Sequence, residues 1–157
     1  MLGSVARKLR IFGFDTAYIA HIADDEVLRM GVEQGRIILT ADKEFFKRLV
    51  SRGARGVLVG GSDDFGDLLH IFEKLSIKSV GVDIGSRCAA CNGLLAGAGR
   101  EEVSGTVPAA VLSRHASFYR CTSCGKVYWD GSHLERLRAL ARRLEARLAG
   151  GPAASKG

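Results

Sequence analysis

Cys88-Ala-Ala-Cys91 and Cys121-Thr-Ser-Cys124 place paired thiols two residues apart at two separate points of the chain. A two-residue gap lets both sulfurs of a turn face one ion, and two such turns supply four thiolates, the ligand set of a closed tetrahedral zinc site. Asn92-Gly93 after the first pair and Gly125 after the second tolerate the left-handed backbone that a knuckle turn takes. With sulfur at all four positions the expected zinc is structural, because no coordination place is left for chemistry. The rival assignment, two redox-active dithiols, wants a pair at the start of a βα unit, and neither pair stands there.

A different chemistry is carried by DDEVLRMGVEQGRIILTADKEFF, residues 24 to 46. Asp24, Asp25 and Glu26 head an amphipathic stretch, while Asp42 and Glu44 follow the apolar run Ile37-Ile38-Leu39. In a parallel α/β sheet functional groups collect at the carboxyl ends of strands, so both clusters are expected on one sheet edge. A single Asp there reads as a helix N-cap. Several carboxylates together repel, and a hard divalent cation relieves that repulsion. Mg²⁺ or Mn²⁺ bound among Asp24, Asp25, Glu26, Asp42 and Glu44 would suit phosphodiester hydrolysis by an activated water. Thr40 would steady a carboxylate or water, or simply end the strand. No GxSxG, P-loop or Ser-His-Asp set offers a competing catalytic chemistry. Asp63-Asp64 reads first as the cap of a helix starting at Phe65, and second as a further part of the acid cluster.

The elements that must position these groups follow from periodicity. Helices are expected over Val5 to Phe12, Asp24 to Gln34, Lys43 to Ser51 and Phe65 to Leu75, and strands at Thr16 to Ile19, Ile37 to Leu39, Val57 to Val59 and Val80 to Val82. Such alternation predicts an α/β domain with a parallel sheet flanked by helices, ending near residue 85. From residue 86 the texture changes to a cysteine-bounded segment, with a loop over Gly93 to Gly105 and a helix from His133 to Leu148. Leu134, Leu137, Leu140 or Ala141, Leu144 and Leu148 form the apolar stripe of that helix, and Arg136, Arg138, Arg142, Arg143 and Arg147 lie largely off it. Those arginines are either a solvated face or an RNA contact. The tail GGPAASKG, residues 150 to 157, is expected to be disordered.

The chain has 157 residues, 46% of them hydrophobic, which suits one ordinary domain or a smaller one with an appendage. No apolar run approaches a membrane span, and the N-terminus lacks the long apolar region of a signal peptide, so a cytoplasmic location is expected. A formal charge of +6 favours a polyanionic partner. Arg7, Lys8 and Arg10, then Lys43, Lys47 and Arg48 beside the acids, and Arg136 are the cations placed to guide an RNA backbone. Tyr128 and Trp129 read as packing for a small ribbon core ahead of base stacking. His133 reads as an ordinary polar contact.

The 24–46 block resembles the DDE-helix-strand-T-x-D block of PIN-like nucleases. The chain as a whole is similar to the Mut7-C ribonuclease family, in which a PIN-like domain precedes a zinc ribbon. MLGSVARKLRIFGFDT resembles that family's first helix and following strand, GSDDF its next acidic turn, and CAACNG with CTSCGKVYWDGSH its ribbon. The resemblance covers residues 1 to about 140 and implies a metal-dependent endoribonuclease, with Asp24 or Asp25 and Asp42 as metal-site acids, RNA as partner, and self-association into a homodimer left open. The family pattern also has a strand ending in Asp before the Met-Leu-Gly helix, so the expectation is a native start upstream of Met1. Two further readings stand beside the nuclease: a catalytically silent RNA-binding or ribosome-associated module, and, more weakly, the nuclease of a toxin–antitoxin pair.

Overall fold

Strands β1 (Ile38–Thr40) and β2 (Gly56–Leu58) run parallel, with Ile38 opposite Gly56, Leu39 opposite Val57 and Thr40 opposite Leu58. The structure, a computed structural model, describes residues 2–61 and 63–150. The crossover between the strands is helix α3 (Lys43–Ser51), which follows α2 (Asp24–Glu33) in chain order; α1 (Leu2–Ile11) comes first and α4 (Asp64–Lys74) comes after β2. Phe45 and Leu49, four residues apart on α3, bury themselves with Ile38, and Val27, Leu28, Phe46 and Ala54 close around them. Gly31 on α2 is needed for this packing, since a Cβ there would lie 2.4 Å from Ile38 Cδ1. Leu68, Ile71 and Phe72 form the buried face of α4, where buried Asp67 accepts the Gly61 N–H at 2.6 Å.

The chain forms two units, Met1–Val5 with Tyr18–Lys78, and Ala6–Ala17 with Ser79–Gly157. The parallel strands belong to the first. In the second, β3 (Leu95–Ala98), β4 (Phe118–Cys121) and β5 (Val127–Trp129) make an antiparallel sheet in the order β3-β4-β5. Two short helices, α5 (Arg100–Val103) and α6 (Ala109–Arg114), link β3 to β4, and α7 (Ser132–Ala149) follows β5. Val103, Val107, Phe118 and Val127 make a small core, with Ala98, Val111, Leu112 and Trp129 packed on it. On α7 the buried stripe is Leu137, Ala141, Leu144 and Leu148.

Three expected elements differ. Thr16 to Ile19 is not a strand: the Thr16 N–H donates to Asn92 Oδ1, and Tyr18 and Ile19 are exposed. Val80 to Val82 is not a strand either, because the Val80 and Gly81 N–H groups donate to the Glu145 carboxylate at 2.7 and 2.9 Å, so no neighbouring strand receives them. Gly93 to Gly105 is not a loop throughout; it contains β3 and α5, and Leu95 to Ala98 pairs with Phe118 to Cys121. The Gly and Ala of β3 have little strand preference of their own, and the partner strand's buried Phe118 and Cys121 decide the matter.

Glu145 also gives the second unit a pH dependence. The N–H groups of Val80 and Gly81 hold its carboxyl below the usual carboxylate value, against partial burial. A depressed folded-state pKa contributes stability that is present above the unfolded value and is lost as pH falls through the folded one. Glu145→Gln should therefore cost about 1 kcal/mol at neutral pH, given the partial exposure, and less in acid, at a pH below the folded-state value. Urea unfolding of both proteins at the two pH values measures this, and a pH-independent difference would contradict it.

Candidate functional site

All four cysteine sulfurs lie within 4.8 Å of one another. The Cys88 and Cys124 sulfurs are 3.7 Å apart and those of Cys91 and Cys121 are 3.4 Å apart. Zn–S bonds of about 2.3 Å place tetrahedral sulfurs about 3.8 Å apart, so the cage fits zinc. Each pair sits in a turn of the same construction. Cys88 N–H donates to Gly93 O and Asn92 N–H to Cys88 O; Cys121 N–H donates to Lys126 O and Gly125 N–H to Cys121 O. Asn92 at φ 71° and Gly125 at φ 75° take the left-handed positions expected of them. Gly93 leaves room for the second turn, since a Cβ there would lie 2.5 Å from Ser123 Oγ and 3.0 Å from Cys121 Sγ.

The electrostatics call for a cation. Burial opposes the Cys121 thiolate, but the N–H groups of Cys124 and Ser123, at 3.5 and 3.4 Å from its sulfur, help hold its thiol down at about 6. Burial likewise opposes the Cys88 thiolate, and the Tyr128 hydroxyl, 3.1 Å away, leads the contacts that lower it. The Gly93 N–H favours a Cys91 thiolate, yet the sulfurs of Cys121 and Cys124 push that thiol up to about 12. Negative sulfurs held together while one must keep its proton is a conflict that a dication resolves. Tyr128 thus serves the cage and Trp129 the core, the packing roles read from the sequence.

Residues 10 to 16 brace the first turn. Arg10 is buried; its Nε donates to Thr16 O at 2.8 Å, and its Nη1 donates to Ala89 O at 3.0 Å and Ala90 O at 2.8 Å, the two carbonyls between Cys88 and Cys91. Asn92 Nδ2 donates to Asp15 Oδ1 at 2.7 Å. Arg10 is therefore no guide for RNA, because burial and three carbonyls absorb its guanidinium. Its role was invisible in sequence, where it stands among surface cations and its acceptors are main-chain atoms far along the chain. Arg10→Met keeps the length and removes the donors. Zinc affinity, measured by chelator competition, should fall about 10- to 100-fold, as when groups that orient metal ligands are removed; an unchanged affinity would separate Arg10 from the centre.

The acids are arranged differently. Asp42 follows β1 as the N-cap of α3, and its Oδ1 accepts the N–H groups of Glu44 and Phe45, both at 2.8 Å. Thr40 is buried, and its Oγ1 accepts the Asp42 N–H at 3.0 Å. Asp24 and Asp25 open α2 and face Arg48, whose Nη2 lies 3.5 Å from Asp24 Oδ2 and 3.4 Å from Asp25 Oδ1. Arg48 also stacks over the Phe45 ring, and its Nε and Nη2 are buried without a hydrogen-bond partner. Glu44 pairs with Lys47 at 2.7 Å, and Glu26 pairs with Arg29. Asp63 caps α4 through Gly66 N–H, and Asp64 accepts the Ser4 hydroxyl at 2.6 Å. Among the described residues, the group of three or more potential ligands close enough to share one ion is the cysteine set; the acids do not form another. Arg7, Lys43, Lys47 and Arg136 are exposed and Lys8 is half-buried.

The whole is a mixed α/β protein with a small parallel sheet, a C-terminal helix and a four-cysteine centre suited to structural zinc. The chain belongs to the Mut7-C RNAse domain family, which it matches over residues 1–141. It is also similar to the "Exonuclease mut-7 homolog" of Homo sapiens, 50% identical over 46 residues, a stretch covering 28% of this chain and 5% of that protein. No solved structure matches it. Among the described residues, no helix is long and apolar enough to cross a membrane.

Proposed function

We propose that this protein is a metal-dependent ribonuclease with a PIN-like domain, hydrolysing RNA phosphodiester bonds internally. The observation that carries the proposal is the placement of Asp42 at the carboxyl end of β1, within a chain of the Mut7-C RNAse domain family. Parallel pairing sends β1 and β2 out on the same edge, so Asp42 and the Asp63-Asp64 turn follow strands that end side by side. Both cap bonds of Asp42 fall on Oδ1, which leaves Oδ2 to hold a cation. Mg²⁺ usually binds through one or two carboxylates, completing its shell with waters and substrate phosphates, so the absence of a three-acid cage among the described residues is compatible with this site. Asp24 or Asp25 would be the second carboxylate. Bound there, Mg²⁺ or Mn²⁺ would supply Lewis-acid neutralisation of the scissile phosphate. The chain's own groups do the positioning: Thr40 orients the Asp42 main chain, and exposed Lys43 offers a cation next to it.

A second reading, a catalytically silent RNA-binding module, is favoured by the Arg48 contacts. That guanidinium already sits against Asp24 and Asp25, which relieves their repulsion without a metal. Incubation of the zinc-loaded protein with a structured and an unstructured RNA, with and without added Mg²⁺ or Mn²⁺, separates the two. Cleavage that needs the added ion supports the nuclease; RNA bound and left intact under every condition supports the silent module.

A further inference from the structure

Helix α7 carries two acids, and both are engaged. Glu145 accepts the Val80 and Gly81 N–H groups, and Glu135 accepts from Arg138 at 2.7 Å. Arg138 is further held 3.6 Å from Asp130. Arg142 is one turn beyond Arg138; it is exposed and has no carboxylate within ion-pair distance among the described residues. Arg138 and Arg142 line one side of an open cleft of about 560 Å³, whose other side is the Ser79 to Ile84 segment. Clefts of roughly 300 to 1,000 Å³ accommodate small ligands and nucleotide-sized groups. The far wall presents Val82, 79% exposed, and half-buried Ile84 beside the exposed Ser79.

We propose that this cleft of the second unit binds single-stranded RNA, with a backbone phosphate on Arg142 and a base lying against Val82 and Ile84. The inference rests on the RNA reading above and adds the surface that holds the strand. A guanidinium matches a phosphate in charge and geometry, and binding releases the phosphate's counterion. Glu145 does not oppose this strongly, since its carboxylate is turned onto two N–H groups in the floor. Arg138, committed to Glu135 and Asp130, keeps the wall cationic and fixed. A duplex would offer its phosphates but not an unstacked base, so the apolar rim selects a single strand.

The test compares two equal charge changes on one helix. Arg142→Gln alters the cleft; Arg147→Gln alters an exposed arginine five residues on, about 140° round the helix. Binding of a short labelled unstructured RNA to zinc-loaded protein, without added Mg²⁺ or Mn²⁺, is followed by fluorescence anisotropy over a salt series. Arg142→Gln is expected to weaken binding about fivefold at low salt and to reduce the slope of log K against log salt by about 0.7, the loss of one single-strand phosphate contact. Arg147→Gln should change affinity less than about twofold, as an unengaged surface charge would. Val82→Asp, which sets a carboxylate where the base rests, should match or exceed the Arg142→Gln loss. Equal losses in the two arginine variants, or none in Arg142→Gln and Val82→Asp, would overturn the cleft and leave the nuclease standing if the wild type still cuts RNA. A wild type that neither binds nor cuts RNA would overturn both.

Discussion

Stripping zinc from the four-cysteine centre is expected to unfold the second unit, with residues 6 to 17 losing their order along with the cysteine turns. Four thiolates within 4.8 Å have no stable arrangement once the cation leaves, because the sulfurs then repel or must take up protons. The centre cannot be replaced by the small core of Val103, Val107, Phe118 and Val127. Structural zinc contributes about 10 to 16 kcal/mol in small metal-folded domains at neutral pH, more than such a core supplies. Residues 6 to 17 follow because Arg10 and Thr16 find their partners on the first turn. Hydrogen exchange of the holo and chelated proteins would show protection lost over 6–17 and 79–150 together, with amides of β1 and β2 keeping more of theirs. Amides of residues 9 to 16 that stay protected after verified zinc loss would break the link. The affinity also falls as pH falls, since the Cys91 thiol, pushed up to about 12 without metal, must give up its proton to bind.

The parts of this architecture that sequence revealed are those whose causes are local. Helix α3 runs over Lys43–Ser51 as expected, because its signals are adjacent: Asp42 to cap it and Phe45 with Leu49 at one-turn spacing. The cysteine turns were legible for the same reason, the two-residue gaps and the left-handed Asn92 and Gly125 lying within a few residues. Val80 to Val82 misled because its apolar side chains look like a strand's, while the group that takes its N–H bonds, Glu145, lies at the far end of the chain. Strand β3 was hidden by its own composition and is created by pairing with β4 across two short helices. Arg10 shows the same limit in an electrostatic form: a cation's role depends on what it meets, and carbonyls carry no sequence signature. The acids divide along that line too. Their positions at element ends were legible, but the approach of Arg48 to Asp24 and Asp25 is a tertiary contact.

If the proposed nuclease reading holds, Asp42→Asn should abolish RNA cleavage while leaving the fold intact. Asp42 has two roles that most substitutions would remove together, the cap of α3 and the carboxylate offered to a cation. Asn separates them, because it caps helices about as well as Asp and can present its carbonyl oxygen to the Glu44 and Phe45 N–H groups. It lacks the negative charge, and a neutral amide is a poor ligand for Mg²⁺ next to water. Thermal stability should therefore shift by no more than about 0.5 kcal/mol, whereas Asp42→Ala should lose about 1 kcal/mol with the cap. Cleavage should fall at least about a hundredfold in both, the scale set by removing one group that stabilises transition-state charge. Raising Mn²⁺ should recover part of the Asn activity if weakened ion binding is the cause, and none if the amide instead mispositions the RNA. RNA binding measured without divalent ions should be unchanged or slightly tighter, since one negative charge near the backbone is gone. An Asp42→Asn protein that cuts RNA at the wild-type rate would leave Asp42 as a helix cap alone and transfer the case to the silent RNA-binding module.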